Sequence, residues 1–186
     1  MSVNSIIVEA GDLLVAVPEL NDINFRRSVV LLCIHDREGS LGLVINRPVD
    51  FDLGSILENL TDRENLHYGG PVRTDCLSYL HRHGDRVRKS LHVADDVYFS
   101  GAYEDVQSLI QSNESSSEDL RFFAGFAGWS EGQLEAEIHQ GGWFVARGDG
   151  DLIFNSDPER LWGTVLRRMG GPYALLANFP EHPSVN

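Results

Sequence analysis

SVVLLCIHDREGSLGLVIN, residues 28–46, reads as two β-branched runs, 28–35 and 40–46, joined by the four-residue loop DREG with Gly39 available for a positive φ. Both runs are nearly continuous in apolar residues instead of alternating, the pattern of strands covered on both faces, so helices or a second sheet are expected on each side. Asn46-Arg47-Pro48 ends the hairpin, because the residue before a proline is held extended and Pro48 has no N–H to give to a ladder. Upstream, LLVAV at 13–17 reads as a strand stopped by Pro18, and ELNDINF at 19–25 as a loop. Phe25-Arg26-Arg27-Ser28 then leads into the hairpin. In an extended backbone Arg26 and Arg27 point to opposite faces, so one of them leans over buried surface and needs a carboxylate, a carbonyl or a ligand. An internal structural pair and an anion site both answer that need.

Downstream, Leu53, Ile56, Leu57 and Leu60 stand at helical spacing in DLGSILENL, 52–60, and Tyr68-Gly69-Gly70-Pro71 is a tight turn. CLSYLHR and RVRKSLHV flank His83-Gly84-Asp85 as a second hairpin, DVYFSG adds a short strand, and residues 103–112 read as helix. LRFFAGFA, 120–127, is a buried strand that leads into GFAGWSEGQLEAEIHQGG, 125–142, the most clearly marked helix start in the chain. WFVAR and DLIFN around Gly148-Asp149-Gly150 give a third hairpin signal. Asp157 as N-cap with Pro158 behind it opens a last helix, which Gly170-Gly171-Pro172 ends. Hairpins mixed with helices and no regular βαβ alternation predict an α+β fold with a mixed or largely antiparallel sheet, in a single domain over 1–186.

A chain of 186 residues, 42% hydrophobic and 23% charged, has the composition of a globular domain with an ample core. Its formal charge is −13 and Lys89 is its one lysine. So acidic a surface repels the phosphates from which non-specific DNA affinity comes, and DNA is not an expected partner. The first twenty residues lack a basic n-region and carry Glu9 and Asp12, which does not read as a signal peptide, and no apolar run is long enough for a membrane span. Cys33 and Cys76 are too few for a disulfide framework, and the compartment implied is the cytoplasm.

Residues 125–142 hold the chemistry, if any does. Ser130 followed by Gln133 is a capping box, with Trp129 and Leu134 as its hydrophobic staple. On the helix, Glu131 and Glu135 fall on one flank and Gln133 and Glu137 on the other. Gly128-Trp129-Ser130-Glu131-Gly132 also matches the G-x-S-x-G nucleophile elbow, with Asp157 and His182 in the order a serine hydrolase needs, but the sheet upstream is built from hairpins and Ser130 already has a role as a cap. His81-x-His83 with Cys76 nearby is a partial metal pattern without a third ligand at fixed spacing. His35-Asp36 falls at a strand end, and the Gly69-Gly70 turn lacks the lysine and helix start of a phosphate loop.

Three blocks taken in order carry a resemblance: GDLLVAVPELNDINFRRSVVLLCIHDREGSLGLVINRP, then YGGPV, then GFAGWSEGQLEAEIHQGGWF. They resemble the YqgE/AlgH family, DUF179, over residues 11 to about 155. The resemblance implies a bacterial cytosolic α+β protein with a bifurcated sheet, a small closed barrel and helices around it. It also implies no established enzymatic activity or cofactor, and some family members carry the label of transcriptional regulator of alginate synthesis. The family's recurring residues correspond to Arg27, Ser28, His35, Asn46, Arg47, Pro48, Gly69, Gly70, Pro71, Trp129, Gly132, Gln133, Leu134 and Glu135, with Ser130 at a spacer position.

The function expected from these readings is a non-enzymatic adaptor or regulatory protein without metal or cofactor. It would work on a protein partner through a surface drawn from Arg27, His35, Asn46, Arg47, Gly69, Gly70, Pro71, Trp129, Gln133, Glu135 and Glu137. The alternative is an enzyme or binder of a small anionic ligand with Arg27, Arg47 and His35 in its pocket; a serine hydrolase and a DNA-binding protein fit less well.

Overall fold

The computed structural model describes residues 7–55, 57, 66–116 and 118–180. Ten strands run in chain order as β1 (Asp12–Ala16), β2 (Val29–Asp36), β3 (Gly39–Val44), β4 (Pro48–Val49), β5 (Leu66–Tyr68), β6 (Val72–His81), β7 (Leu91–Ala94), β8 (Val97–Phe99), β9 (Leu120–Ser130) and β10 (Trp143–Arg147). The helices are α1 (Tyr103–Gln111), α2 (Gln133–His139), α3 (Gly150–Phe154), α4 (Pro158–Met169) and α5 (Gly171–Leu176).

Eight of the strands follow the order β10-β1-β2-β3-β9-β6-β8-β7, with β4 paired to β5 and β5 to β9 off this path, and the sheet is curled into a half-barrel. The long β9 is where it forks. Ala127–Ser130 pair antiparallel with β3, while Phe122–Ala124 pair parallel with β5 on the same edge, and β6 takes the other edge. Gly69 fills the crotch of the fork, donating its N–H to the Ala124 carbonyl and accepting from the Val44 N–H, each at 2.8 Å. A Cβ on Gly69 would come within 2.2 Å of the Gly125 carbonyl oxygen, and one on Gly70 within 2.2 Å of the Phe126 backbone, so both must be glycine.

The unbroken apolar runs of the central hairpin are explained by two cores. Leu13, Val15, Val29, Leu31, Leu43 and Ile45 face α3 and α4, where Leu152, Ile153, Trp162, Val165 and Leu166 meet them. The alternate residues Leu14, Ala16, Val30, Leu32 and Val44 face Trp129, Leu134, Ile138 and Trp143 around α2. A third cluster joins α1 to the β6–β9 limb through Tyr79, Val106, Leu109 and Phe122. The helices do not surround the sheet: Val72–Ser78 of β6 lies exposed or half-exposed, and α5 buries no residue.

The structure corrects several local expectations. Residues 86–90 do not form a strand against β6, because Val87 turns into the core beside α1 and the Arg88 guanidinium is held by Asp105; β8 pairs with β6 instead, and β7 with β8. DLIFN is not a strand. Asp149 accepts a hydrogen bond from the Leu152 N–H and caps α3, while the Arg121 guanidinium closes its far end on the Ile153 and Phe154 carbonyls. Phe25–Arg27 is a turn rather than an extended lead-in: the Arg26 N–H reaches the Asp22 carbonyl and Arg27 has φ 53°. Of the helix expected over 52–60 a 3-10 turn at Leu53–Ser55 is present, and most of the remainder lies outside the described residues. At α2 the N-cap position belongs to Gly132, at φ 72°, and β9 continues through Ser130. Half the expected box survives, with the Gln133 side-chain oxygen accepting from the Ser130 N–H at 3.0 Å. Among the described residues no helix is long and apolar enough to cross a membrane.

Candidate functional site

The loop between β1 and β2, residues 17–28, separates two depressions. On one side a groove of about 530 Å³ runs between this loop and α2, lined by Leu20, Phe25, Gly128, Trp129, Gln133, Glu137 and Trp143, with Glu19 and Asp22 on its rim. Phe25, Trp129 and Trp143 form an aromatic triad with ring centroids 5.6 to 6.4 Å apart. Glu137 organises it. One carboxylate oxygen accepts both indole N–H groups, Trp129 and Trp143, at 2.9 Å each, and the other accepts the Gln133 amide at 2.9 Å. All three donors are neutral, and among the described residues no cation lines the groove. The indoles are 6% and 5% exposed, so their edges, Phe25 and the Gly128 backbone form the accessible wall; Trp129 has no broad outward face.

On the other side a cleft of about 950 Å³ is lined by Arg26, Arg27, Asn46, Arg47, Glu159 and Trp162, among others. The Arg47 guanidinium donates to the Ile23 carbonyl at 3.2 Å and the Arg26 carbonyl at 2.9 Å, pinning the turn. Arg27 lies 4.4 Å over the Trp162 ring and donates to the Phe179 carbonyl. Asn46 accepts from the Val29 N–H at 2.8 Å and donates to the Arg27 carbonyl at 2.9 Å, which fixes the turn to β2. Burial pushes the Arg47 guanidinium below its ordinary pKa, and the neighbouring Arg26 charge acts in the same direction.

The remaining candidates lie elsewhere. His35 places Nδ1 2.8 Å from the Ser40 hydroxyl and Nε2 3.5 Å from the Glu135 carboxylate, on the flank of α2 away from the groove. Gly69 and Gly70 serve the fork, with Pro71 exposed beside them. The Ser130 hydroxyl donates to Gln133 at 3.2 Å, Asp157 caps α4, and His182 lies outside the described residues, so no hydrolytic triad is assembled among the described residues. His81 is buried, with Nε2 2.9 Å from the Ser100 carbonyl and Nδ1 accepting from the His83 N–H, while Cys76 accepts from Arg73; among the described residues no group of three potential ligands could hold a metal ion. Thus Trp129, Gln133 and Glu137 share one site, and Arg27, Asn46 and Arg47 share another. Sequence reasoning missed Phe25 and Trp143 as members of the groove. Trp143 stands directly after Gly141-Gly142, where a strand restarts beside the end of α2, and that adjacency was its available signal.

Residues 13–174 match the AlgH-like family, DUF179. A UPF0301 protein of Cytophaga hutchinsonii is 40% identical over 178 residues, covering 95% of this chain and 98% of its own. One from Chlorobium chlorochromatii is 39% identical over 178 residues, covering 95% of each. Among solved structures, a crystal structure of a Corynebacterium diphtheriae protein superposes with a TM-score of 0.76 at 25% identity, over 93% of this chain and 94% of that one. The solution structure of the AlgH protein from Pseudomonas aeruginosa superposes with a TM-score of 0.71 at 31% identity, over 93% and 95%. On this similarity of sequence along nearly its whole length, and of fold, the chain belongs to the AlgH-like family.

Proposed function

We propose that this protein acts as a non-enzymatic adaptor or regulatory protein whose recognition surface is the groove beside α2, and that the groove takes a basic segment of a partner protein. The observation that carries this reading is Glu137, a half-buried carboxylate oriented by three neutral N–H donors and paired with no cation among the described residues. Indole and amide donors fix a carboxylate in place without neutralising it. Its remaining lone pairs and its charge stay available to a guanidinium or ammonium entering over Phe25, and Glu19 and Asp22 reinforce the same sign. Candidates for catalysis are spent on structure: Ser130 faces Gln133, and His35 is tied to Ser40. A regulatory role would then run through a protein, since a surface at −13 disfavours nucleic acid.

The test is a tryptophan-fluorescence titration with a tetra-arginine peptide. Saturable binding that weakens roughly tenfold in Glu137→Gln supports the groove, on the scale of one lost charged hydrogen bond. Equal binding by the wild type and Glu137→Gln would sink it.

A further inference from the structure

The cleft on the other side of the loop carries an inference that does not depend on the groove. We infer that Arg26, Arg27 and Arg47 form a binding site for the phosphoryl group of a small phosphorylated molecule.

Arg73, Arg82, Arg86, Arg88, Arg147, Arg160 and Arg168 each reach a carboxylate within 4 Å. In a chain with 28 acidic against 15 basic residues, acids to pair with are plentiful. The cleft arginines instead rest on backbone carbonyls: Arg47 on those of Ile23 and Arg26, and Arg27 on that of Phe179. A carbonyl fixes a guanidinium but does not cancel its charge. Arg26 is exposed at the lip of the same cleft. The proximity of Arg26 and Arg47 is itself unfavourable; the Asp22 carboxylate offsets it in part, and an anion entering between the two guanidiniums would relieve it further.

The kind of anion follows from charge and geometry. Three guanidiniums, with Glu159 in the lining and Asp22 near Arg47, leave the cleft net positive and rich in N–H donors, which suits a group with several anionic acceptor oxygens better than a single carboxylate. A cleft of about 950 Å³ exceeds the needs of one phosphoryl group and leaves room for an organic body against Ile23 and Pro158. Asn46 is held on the turn by one accepted and one donated hydrogen bond, and Asp157 caps the start of α4, so the charged phosphoryl contacts fall to the arginines. Polymeric nucleic acid is disfavoured by the net charge of −13.

The test is calorimetric titration of the full chain with inorganic pyrophosphate, with citrate as a carboxylate of comparable charge. Pyrophosphate should bind saturably, more tightly than citrate, and less tightly as salt is raised. Arg26→Gln should weaken it roughly tenfold or more, the scale of one charge-assisted hydrogen bond, and the Arg26 side chain is exposed, so the substitution spares the core. Glu137→Gln should leave pyrophosphate binding unchanged, which separates this site from the groove. Absence of saturable binding, or unaltered affinity in Arg26→Gln, would overturn the site; citrate binding as tightly as pyrophosphate would overturn its phosphoryl preference.

Discussion

The groove and the cleft are built from the two sides of one turn and are opposite in charge. Phe25 closes the aromatic wall of the groove, while Arg26 and Arg27, the next residues, line the cleft. In the groove a carboxylate is held by neutral N–H donors; in the cleft guanidiniums are held by neutral carbonyls. Elsewhere charges are mostly settled in pairs, as with Arg88 on Asp105 and Arg147 on Asp12. Arg121 is also held by carbonyls alone, but it is buried against α3; among the described residues the groove and the cleft set such positioned charge, one of each sign, beside open space.

The largest effect that would sharpen this contrast is on the cleft's support. Trp162→Ala removes a buried indole, its 2.8 Å hydrogen bond to the Ala16 carbonyl and the platform under Arg27. It should cost about 3–5 kcal/mol, read as a lower denaturant midpoint. Glu137→Leu strips both indole N–H groups of their acceptor and should cost about 2–6 kcal/mol, at about 1–3 for each unsatisfied donor, whereas Glu137→Gln retains an acceptor oxygen and should cost less. If Glu137→Leu proved neutral, the carboxylate would not be organising the triad. Asn46→Ala, which loses two backbone contacts of the turn, should cost about 1–3 kcal/mol.

A smaller effect depends on pH and lies outside both sites. Burial holds His81 below its ordinary pKa of 6.5, so the folded state favours the neutral ring. The unfolded chain binds the proton more readily. This contribution to stability is therefore complete above 6.5 and is lost as the pH falls towards the folded-state value. His81→Gln should flatten that part of the stability profile, and an unchanged slope would remove His81 as its source. Smallest of all, Arg26→Gln should leave stability within about 0.5 kcal/mol of the wild type while weakening pyrophosphate binding.

Much of the fold was legible because it rests on local rules. The continuous apolar runs of 28–46 predict a hairpin with two covered faces, and alternate residues of β2 do enter separate cores. The N-cap Asp157 and the Gly170 stop bound α4 as read. What failed was set by distant contacts. DLIF has the composition of a strand, but Asp149 caps one end and Arg121, thirty-two residues from Ile153, holds the other, so it becomes helix. RVRK was drawn out of the sheet by Asp105 on α1. In the same way Gln133 and Glu137 could be placed on one flank of α2 by their spacing, yet the convergence of both indoles on one carboxylate oxygen needs β9, which precedes the helix, and β10, which follows it, to bring Trp129 and Trp143 together. The split between groove and cleft was hidden because it depends on the turn at Arg27, whose positive φ no sequence rule for arginine anticipates.

The central claim is that Glu137 presents an available negative charge in the groove. Indole N–H resonances of Trp129 and Trp143, followed by ¹⁵N NMR during titration with tetra-arginine, test it at the atoms concerned. The account predicts saturable shifts of both resonances, absent with tetra-glutamate and lost in Glu137→Gln, while the Trp162 resonance across the loop stays still. Shifts that survive in Glu137→Gln, or that spread equally to Trp162, would contradict it.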